Sequence, residues 1–317
     1  MKVKITRKFE VARDISAFEL ADPDGAPLPA FSAGAHIDVH ISEGLTRQYS
    51  LCNNSDETHR YLIGVLRDPD SRGGSMAMHA LPEGALVEIG EPKNHFPLAS
   101  DAEHSILLAG GIGVTPLLCM AECLAHASAS FELHYCTREA QRTAFRERLN
   151  EPHLKAQTRL YFDNGPAVER IDLSKVVGDP DPGKHLYVCG PGGLIEAVLD
   201  KARQLGWNSA NVHREYFTIA LANANVDGDG PFRIKLARSG RIIDVCAGQT
   251  AAKALDEAGV TIATSCEQGV CGTCLTRVLS GQPDHRDVYL TEDERCANDQ
   301  FLPCCSRSKS PMLVLDL

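Results

Sequence analysis

Four cysteines near the C-terminus constrain this chain more than any other feature. Cys266, Cys271 and Cys274 stand in SCEQGVCGTC, a C-x4-C-x2-C cluster, and Cys304 follows after 29 further residues. A cage of four thiolates needs three sulfurs converging from one tight loop and a fourth delivered from elsewhere in the fold, and this is the plant-type [2Fe-2S] spacing. Gly269 and Gly272 lie inside the loop, where the backbone must wrap closely round an inorganic core, and glycine tolerates the positive φ angles this demands. Four-cysteine zinc sites are the competing reading, but they favour two C-x2-C-type pairs over one cluster plus a distant single. For the fourth ligand the adjacent Cys304 and Cys305 of FLPCCSRS both stand as choices, with Cys296 a remote third; spacing favours Cys304.

A length of 317 residues exceeds what one core normally organises, so two or three domains are expected. With 43% hydrophobic and 23% charged residues the composition is that of an ordinary globular protein. The 32 basic against 42 acidic residues give a net charge of −10 without any Lys/Arg run, which argues against nucleic acid or an anionic membrane as partner. No stretch approaches the roughly 18 to 20 apolar residues of a membrane span, and the start MKVKITRKFEVARD lacks the apolar core of a signal peptide. A cytoplasmic protein is expected, whose 12 cysteines are thiols or metal ligands rather than a disulfide framework. Cys52, Cys119, Cys123, Cys136, Cys189 and Cys246 stand singly, mostly in apolar surroundings, and read as small buried hydrophobes.

Three regions follow from the patterning. Residues 1–100 alternate short β-type runs (HIDVHI, YLIGVL, ALVEIG) with Gly, Pro and Asp clusters, which predicts an antiparallel barrel. Residues 101–222 repeat strand, turn and helix: SILLAG before a helix from Pro116, FELHYC before one near Ala140, LYVCG before one near Leu194. That pattern predicts a parallel sheet with crossover helices. Residues 223–232, all but the last in ALANANVDGDGP, have linker composition, and 233–317 have the size of a small α+β domain.

Each of the first two regions carries candidate binding turns. In SILLAGGIGVTPLL the chain passes from a buried strand through Gly110, Gly111 and Gly113 into a helix, with Thr115 and Pro116 suited to N-cap and N1. Free amides at such a point attract phosphate. Pro116 occupies the third-glycine position, so the standard dinucleotide fingerprint fails. A second turn, Cys189, Gly190 and Pro191 in LYVCGPGG, ends a strand on the carboxyl edge where open α/β sheets bind ligands. With an iron–sulfur region downstream, the pair favours a pyridine nucleotide. In the first region LTRQYSLCN puts Arg47, Gln48, Tyr49 and Ser50 on one strand, and the period of two turns Arg47 and Tyr49 to the same face. Gly73, Gly74 and Ser75 then open a helical stretch, a phosphate cradle of amides and a hydroxyl. The competing reading of these residues is a surface strand and a flexible turn.

Taken together, R-x-Y-S, GGS, GGIGVTP, CGPGG and the cysteine pattern resemble the phthalate dioxygenase reductase family, in its domain order and over nearly the whole chain. FSAGAHIDVH, RQYSLCN, HREYF, SCEQGVCGTCLTRVL and CCSRSK carry the likeness further. The resemblance implies a barrel that binds FMN, a nucleotide domain that binds NADH, and a C-terminal ferredoxin-like (β-grasp) domain holding one [2Fe-2S] cluster. It implies that Tyr49 packs against the isoalloxazine, that Ser50 hydrogen-bonds near its N5, and that Arg47 takes the phosphate with Gly73, Gly74 and Ser75. Gln48, Val65 and Arg67 complete the implied flavin set. Gly111, Gly113, Thr115 and Pro116 would face the NADH pyrophosphate, Cys189, Gly190 and Pro191 the nicotinamide, and Phe217 the flavin edge, unless Phe217 is an ordinary core aromatic. Ser50, Cys189 and Phe217 are the residues implied nearest the chemistry, and Cys266, Cys271, Cys274 and Cys304 the cluster ligands.

NADH yields two electrons together and an iron–sulfur cluster accepts one at a time, so a flavin between them divides the pair. The resemblance implies a Rieske-type oxygenase of aromatic acids as final acceptor; a cytochrome or quinone reductase, or a redox-sensing protein, are the alternatives. Thr137 and Arg138 could hold the 2′-phosphate of NADPH and Asp163 would repel it, while the family preference is NADH. The stretch Asp284 to Asp287, read as exposed, is a docking candidate or simply a solvated loop.

Overall fold

Six strands, β1 (Lys2–Ala12), β2 (Ile15–Ala21), β3 (His36–Ser42), β4 (Leu45–Ser50), β5 (Tyr61–Leu66) and β6 (Leu86–Ile89), form an antiparallel sheet in the order β4-β3-β6-β1-β2-β5. A bridge from Leu51 to Ile63 joins its two ends, so the sheet curls into a barrel. Helix α1 (Gly74–Ala80) follows β5. Here a computed structural model describes residues 1–42, 44–69, 73–217 and 229–317, and the chain divides into two compact units, Met1–Phe217 and Thr218–Leu317.

The rest of the first unit is a parallel sheet. Its elements are β7 (His104–Gly110), α2 (Val114–His126), β8 (Ser130–Thr137), α3 (Arg146–Leu149), α4 (Pro152–Lys155), β9 (Thr158–Phe162), α5 (Leu173–Val177), β10 (Lys184–Cys189), α6 (Gly192–Leu205) and β11 (Val212–Glu215). The order β11-β10-β7-β8-β9 puts the topological switch point between β7 and β10. YLIGVL reads as an unbroken apolar run because both of its faces are buried: Tyr61, Ile63 and Val65 fill the barrel, while Leu62 joins Leu107, Leu117 and Tyr187 in a core shared with the parallel sheet.

Two local expectations change. Helix α2 begins at Val114, led in by a 3-10 turn at Gly111–Gly113, and Thr115 does not cap it; its hydroxyl donates back to the Ile112 carbonyl at 3.0 Å. Pro116 is tolerated there because first-turn amides have no acceptor within the helix. The helix expected near Ala140 is reduced to a 3-10 turn and the one-turn α3 and α4, with Pro152 opening the latter.

The second unit contains β12 (Phe232–Leu236), β13 (Ile242–Val245), α7 (Ala251–Glu257), β14 (Thr276–Ser280), β15 (Pro283–Asp284), α8 (Glu292–Ala297), β16 (Gln300–Phe301), β17 (Arg307–Ser308) and β18 (Met312–Leu315). The closing strand β18 lies parallel to β12 in the mixed sheet β13-β12-β18-β14-β16. Ala251, Ala254 and Leu255 of α7 pack on Ile234, Val245 and Leu313, which completes a β-grasp. Most of the expected linker lies outside the described residues; within its described end, Asp229 is ion-paired to Arg286 at 2.6 Å and Phe232 is buried in β12. Among the described residues no helix is long and apolar enough to cross a membrane.

Candidate functional site

Strand β4 pairs with β3 so that Arg47 lies opposite Val39 and Tyr49 opposite Ile37, which puts Arg47 and Tyr49 on one face. Tyr49 packs on the barrel core, and burial pushes its phenol well above the usual range. Gln48 points the other way, donating to Asp38 at 3.1 Å. Arg47 reaches the glycine turn: a Cβ on Gly74 would lie 2.6 Å from its Nε, so the glycine leaves room for the path the Arg47 side chain takes. Gly73, at φ +91°, caps α1 without a side-chain bond, and Ser75 Oγ accepts from the Asp68 amide at 3.2 Å. The Val65 side chain is committed to the barrel core and its carbonyl to the His79 ring, at 3.0 Å; Arg67 is exposed.

The two turns of the parallel sheet meet at the switch point. A Cβ on Gly113 would sit on the Cys189 carbonyl, and one on Gly110 would come within 2.7 Å of Pro191 Cδ and 2.6 Å of Leu194. Missing side chains thus let the β7 and β10 turns touch backbone to backbone, while Gly111, Gly192 and Gly193 face open space. The barrel reaches the same place. A Cβ on Gly64 of β5 would lie 2.9 Å from the Thr115 methyl, and Ser50 Oγ, at the end of β4, lies 3.4 Å from Oε2 of Glu215 at the end of β11.

Glu215 is a residue that sequence reasoning missed, although HREYF contains it. It retains some exposure as a residue, while protein surrounds its carboxyl. Burial raises its pKa to about 8 and the Ser50 hydroxyl opposes the rise. Cys189 is buried, its thiol pushed up by desolvation and then by Glu215. Phe217 is half-buried against the shared core. At the end of β8 the Thr137 hydroxyl is engaged with Thr143 Oγ1 at 3.2 Å and the Glu139 carbonyl, and Asp163 lies beside it, its amide donating to the Thr137 carbonyl at 3.0 Å.

In the second unit the cysteine loop gathers its sulfurs. Cys266 is in hydrogen-bond contact with Cys271 and Cys304, and Cys304 with Cys274. The Gln268 amide donates to the Cys266 sulfur at 3.3 Å, and with the thiols of Cys271 and Cys304 holds Cys266 well below the usual thiol range. Gly269 and Gly272 have φ of +72° and +71° as the loop requires, and a Cβ on them would strike Cys305 Sγ and the Tyr289 ring. Cys305 therefore packs behind the loop, its sulfur 3.7 Å from the Leu302 carbonyl, while Cys296 is exposed on α8. No three His, Cys, Asp or Glu among the described residues are grouped to hold a single metal ion, so the cluster reading stands on the sulfur contacts and on the family match below.

Two expectations are corrected. The stretch from Asp284 to Asp287 is not an exposed loop: Asp287 is buried, accepting from the Leu290 amide at 2.9 Å, and Arg286 bonds both Asp229 and Asp284. Of the six single cysteines, Cys246 is exposed and Cys123 only partly buried.

Residues 234–309 match the family of 2Fe-2S iron–sulfur cluster binding domains, and residues 93–212 the N-terminal domain family of the DmmA-like subunit of dimethylamine monooxygenase. Over 317 residues the chain is 54% identical to vanillate O-demethylase oxidoreductase of Pseudomonas putida, covering 99% of each. A solved phthalate dioxygenase reductase, described as a modular structure for electron transfer from pyridine nucleotides to [2Fe-2S], matches with a TM-score of 0.78 and 42% identity over 100% of this chain and 98% of that one. The chain belongs to the phthalate dioxygenase reductase family. It is an oxidoreductase of the electron-transfer type with a 2Fe-2S domain at its C-terminal end. All of this reductase also matches 41% of an intact type IV self-sufficient cytochrome P450 monooxygenase, with a TM-score of 0.85 and 37% identity.

Proposed function

We propose that this reductase carries electrons from NADH through FMN and the [2Fe-2S] cluster to a Rieske-type oxygenase that acts on a methoxylated aromatic acid, in the cytoplasm. The observation that carries the reading is the Ser50–Glu215 contact, which brings the barrel strand suited to a flavin and the sheet edge suited to a nicotinamide to one place. The residues fit the groups: glycine gaps leave backbone, not side chains, at the two turns, and four sulfurs converge in the second unit. A flavin bound there would accept hydride and release electrons singly.

The chain's own residues supply binding and orientation. Arg47 with Gly73, Gly74 and Ser75 would hold the flavin phosphate, Tyr49 would pack on its ring, and Val65 and Arg67 would border it. Ser50, which here donates to Glu215 Oε2, would donate toward N5 once Glu215, protonated near neutral pH, in turn donates to Ser50, which makes Glu215 a proton store behind it. Gly111, Gly113, Thr115 and Pro116 would take the pyrophosphate, Cys189, Gly190 and Pro191 would support the nicotinamide, and Phe217 would lie at the flavin edge. The Thr137 hydroxyl is already engaged and Asp163 is adjacent, which favours NADH over its phosphorylated form. Cys266, Cys271, Cys274 and Cys304 ligate the cluster. We divide the work among residues 1–100, 101–222 and 233–317.

Anaerobic titration with NADH, with the visible spectrum recorded and the released flavin identified, tests this. Bleaching of flavin and cluster bands with FMN in the supernatant is expected; an unchanged spectrum or released FAD overturns the assignment. The match inside a P450 monooxygenase favours a haem protein as the second candidate acceptor. Reduction of such a protein faster than of any Rieske oxygenase would replace the partner proposed here.

A further inference from the structure

Residues 286–290, between β15 and α8, lie in neither a helix nor a strand, yet Asp287 among them is buried, with 3% exposure. A carboxylate out of water is tolerated only where donors reach it. The Leu290 amide donates to Asp287 Oδ2 at 2.9 Å and the Ser306 hydroxyl to Oδ1 at 3.3 Å. Ser306 Oγ also accepts from the Arg286 amide at 3.1 Å, so one serine holds the segment at two points. Arg286 itself pairs with Asp229 at 2.6 Å and with Asp284 at 2.7 Å, and Arg295 donates to the Asp287 carbonyl.

The segment lies against both parts of the sulfur site. The Val288 amide donates to the Gly269 carbonyl at 3.1 Å, a Cβ on Gly269 would lie 2.9 Å from Asp287 Cα, and one on Gly272 would strike the Tyr289 ring. Residues 287–289 thus back both positive-φ glycines of the three-cysteine loop. On the other side, Leu290 packs with Cys274, Leu302 and Cys304, and Ser306 stands two residues past Cys304. No step of the electron path uses Asp287 or Ser306.

We propose that Asp287 and Ser306 are positioning residues for the cluster: the bond between them fixes the three-cysteine loop relative to Cys304 and so sets the geometry in which the four sulfurs meet iron. The two ligand segments are distant in sequence, so contacts across the fold, rather than chain connectivity, decide their separation. Residues 286–290 supply those contacts, resting on Gly269 and Gly272 at one side and on Ser306 at the other. Groups that orient the ligands of a metal centre govern how firmly it is held and how it behaves electronically. The proposal rests on the assignment of Cys266, Cys271, Cys274 and Cys304 as ligands.

The test measures, on the cluster-loaded full chain, the rate of iron release to ferrozine and the electron paramagnetic resonance spectrum after reduction with dithionite. Ser306→Ala removes two hydrogen bonds without adding an atom; release should speed about tenfold, the scale of one buried hydrogen bond lost, and the g-values should shift. Asp287→Ala should do the same, while Asp287→Asn, whose amide accepts from Leu290 and donates to Ser306, should keep the rate and spectrum of the unaltered protein. Thr250→Ala serves as the control, since it removes the N-cap of α7, whose hydroxyl accepts from the Lys253 amide at 3.2 Å, and lowers stability away from the cysteine loop. An unchanged rate and spectrum in Ser306→Ala and Asp287→Ala overturns the proposal. An equal change in Thr250→Ala also overturns it, by tracing the effect to general stability, and so does an Asp287→Asn that behaves like Asp287→Ala, by tracing it to charge. Cys304→Ser separates the ligand assignment: full cluster absorbance in that variant overturns the assignment and the proposal together, whereas its loss beside an unaffected Ser306→Ala overturns the positioning role alone.

Discussion

The two units build their candidate sites from opposite materials. In the second, the site is made of side-chain atoms, four sulfurs drawn from Cys266 to Cys304. In the first it is made largely of omissions: Gly64, Gly74, Gly110 and Gly113 lack the atoms that would keep Thr115, Arg47, Pro191 and Cys189 away. A site of the first kind is broken by deleting an atom, and one of the second kind by adding one.

Cys266→Ser gives the largest expected effect, near-complete loss of bound iron and of cluster absorbance, while NADH still bleaches the flavin. Loss of flavin bleaching in the same variant would show that the units do not work independently and would break the contrast. Gly113→Ala adds a methyl group against the Cys189 carbonyl, with an expected loss of about 1–3 kcal/mol of stability in thermal unfolding and slower reduction by NADH at unchanged iron content. Gly74→Ala displaces Arg47, and flavin retention should fall about tenfold, or about 1.4 kcal/mol, by dialysis against low flavin. Glu215→Gln differs from these in that its effect depends on pH. Between 4.5 and about 8 the folded chain holds a proton at Glu215 that the unfolded chain releases, so this residue favours folding less as pH rises through that window. The melting temperature of the variant relative to the unaltered protein should therefore rise from pH 5 to pH 9; a constant difference would place the Glu215 carboxyl in solvent.

Legibility followed the same division. The cluster loop could be read because three of its ligands and its two positive-φ glycines lie within nine residues, Cys266 to Cys274, and local spacing carries the geometry. The β4 alternation was equally local. Glu215 was missed because its partner Ser50 lies 165 residues away, and Gly64 because a single glycine in an apolar run does not announce what packs on it. The run Asp284 to Asp287 misled for a related reason: mixed charge looks solvated until Asp229 and Ser306, far off in sequence, are seen to bond it. Thr115 resembled a helix cap because the 3-10 turn ahead of it leaves no mark in residue type.

The Ser50–Glu215 contact joins the fourth strand of the barrel to the last strand of the parallel sheet. Almost all of Met1–Phe217 must therefore be synthesised and folded before this junction exists. Binding at the junction stabilises the unit only in its finished form, in proportion to how far the bound molecule's concentration exceeds its dissociation constant. Scarcity of that molecule would shorten the lifetime of the N-terminal unit under proteolysis and leave the cluster-bearing unit untouched.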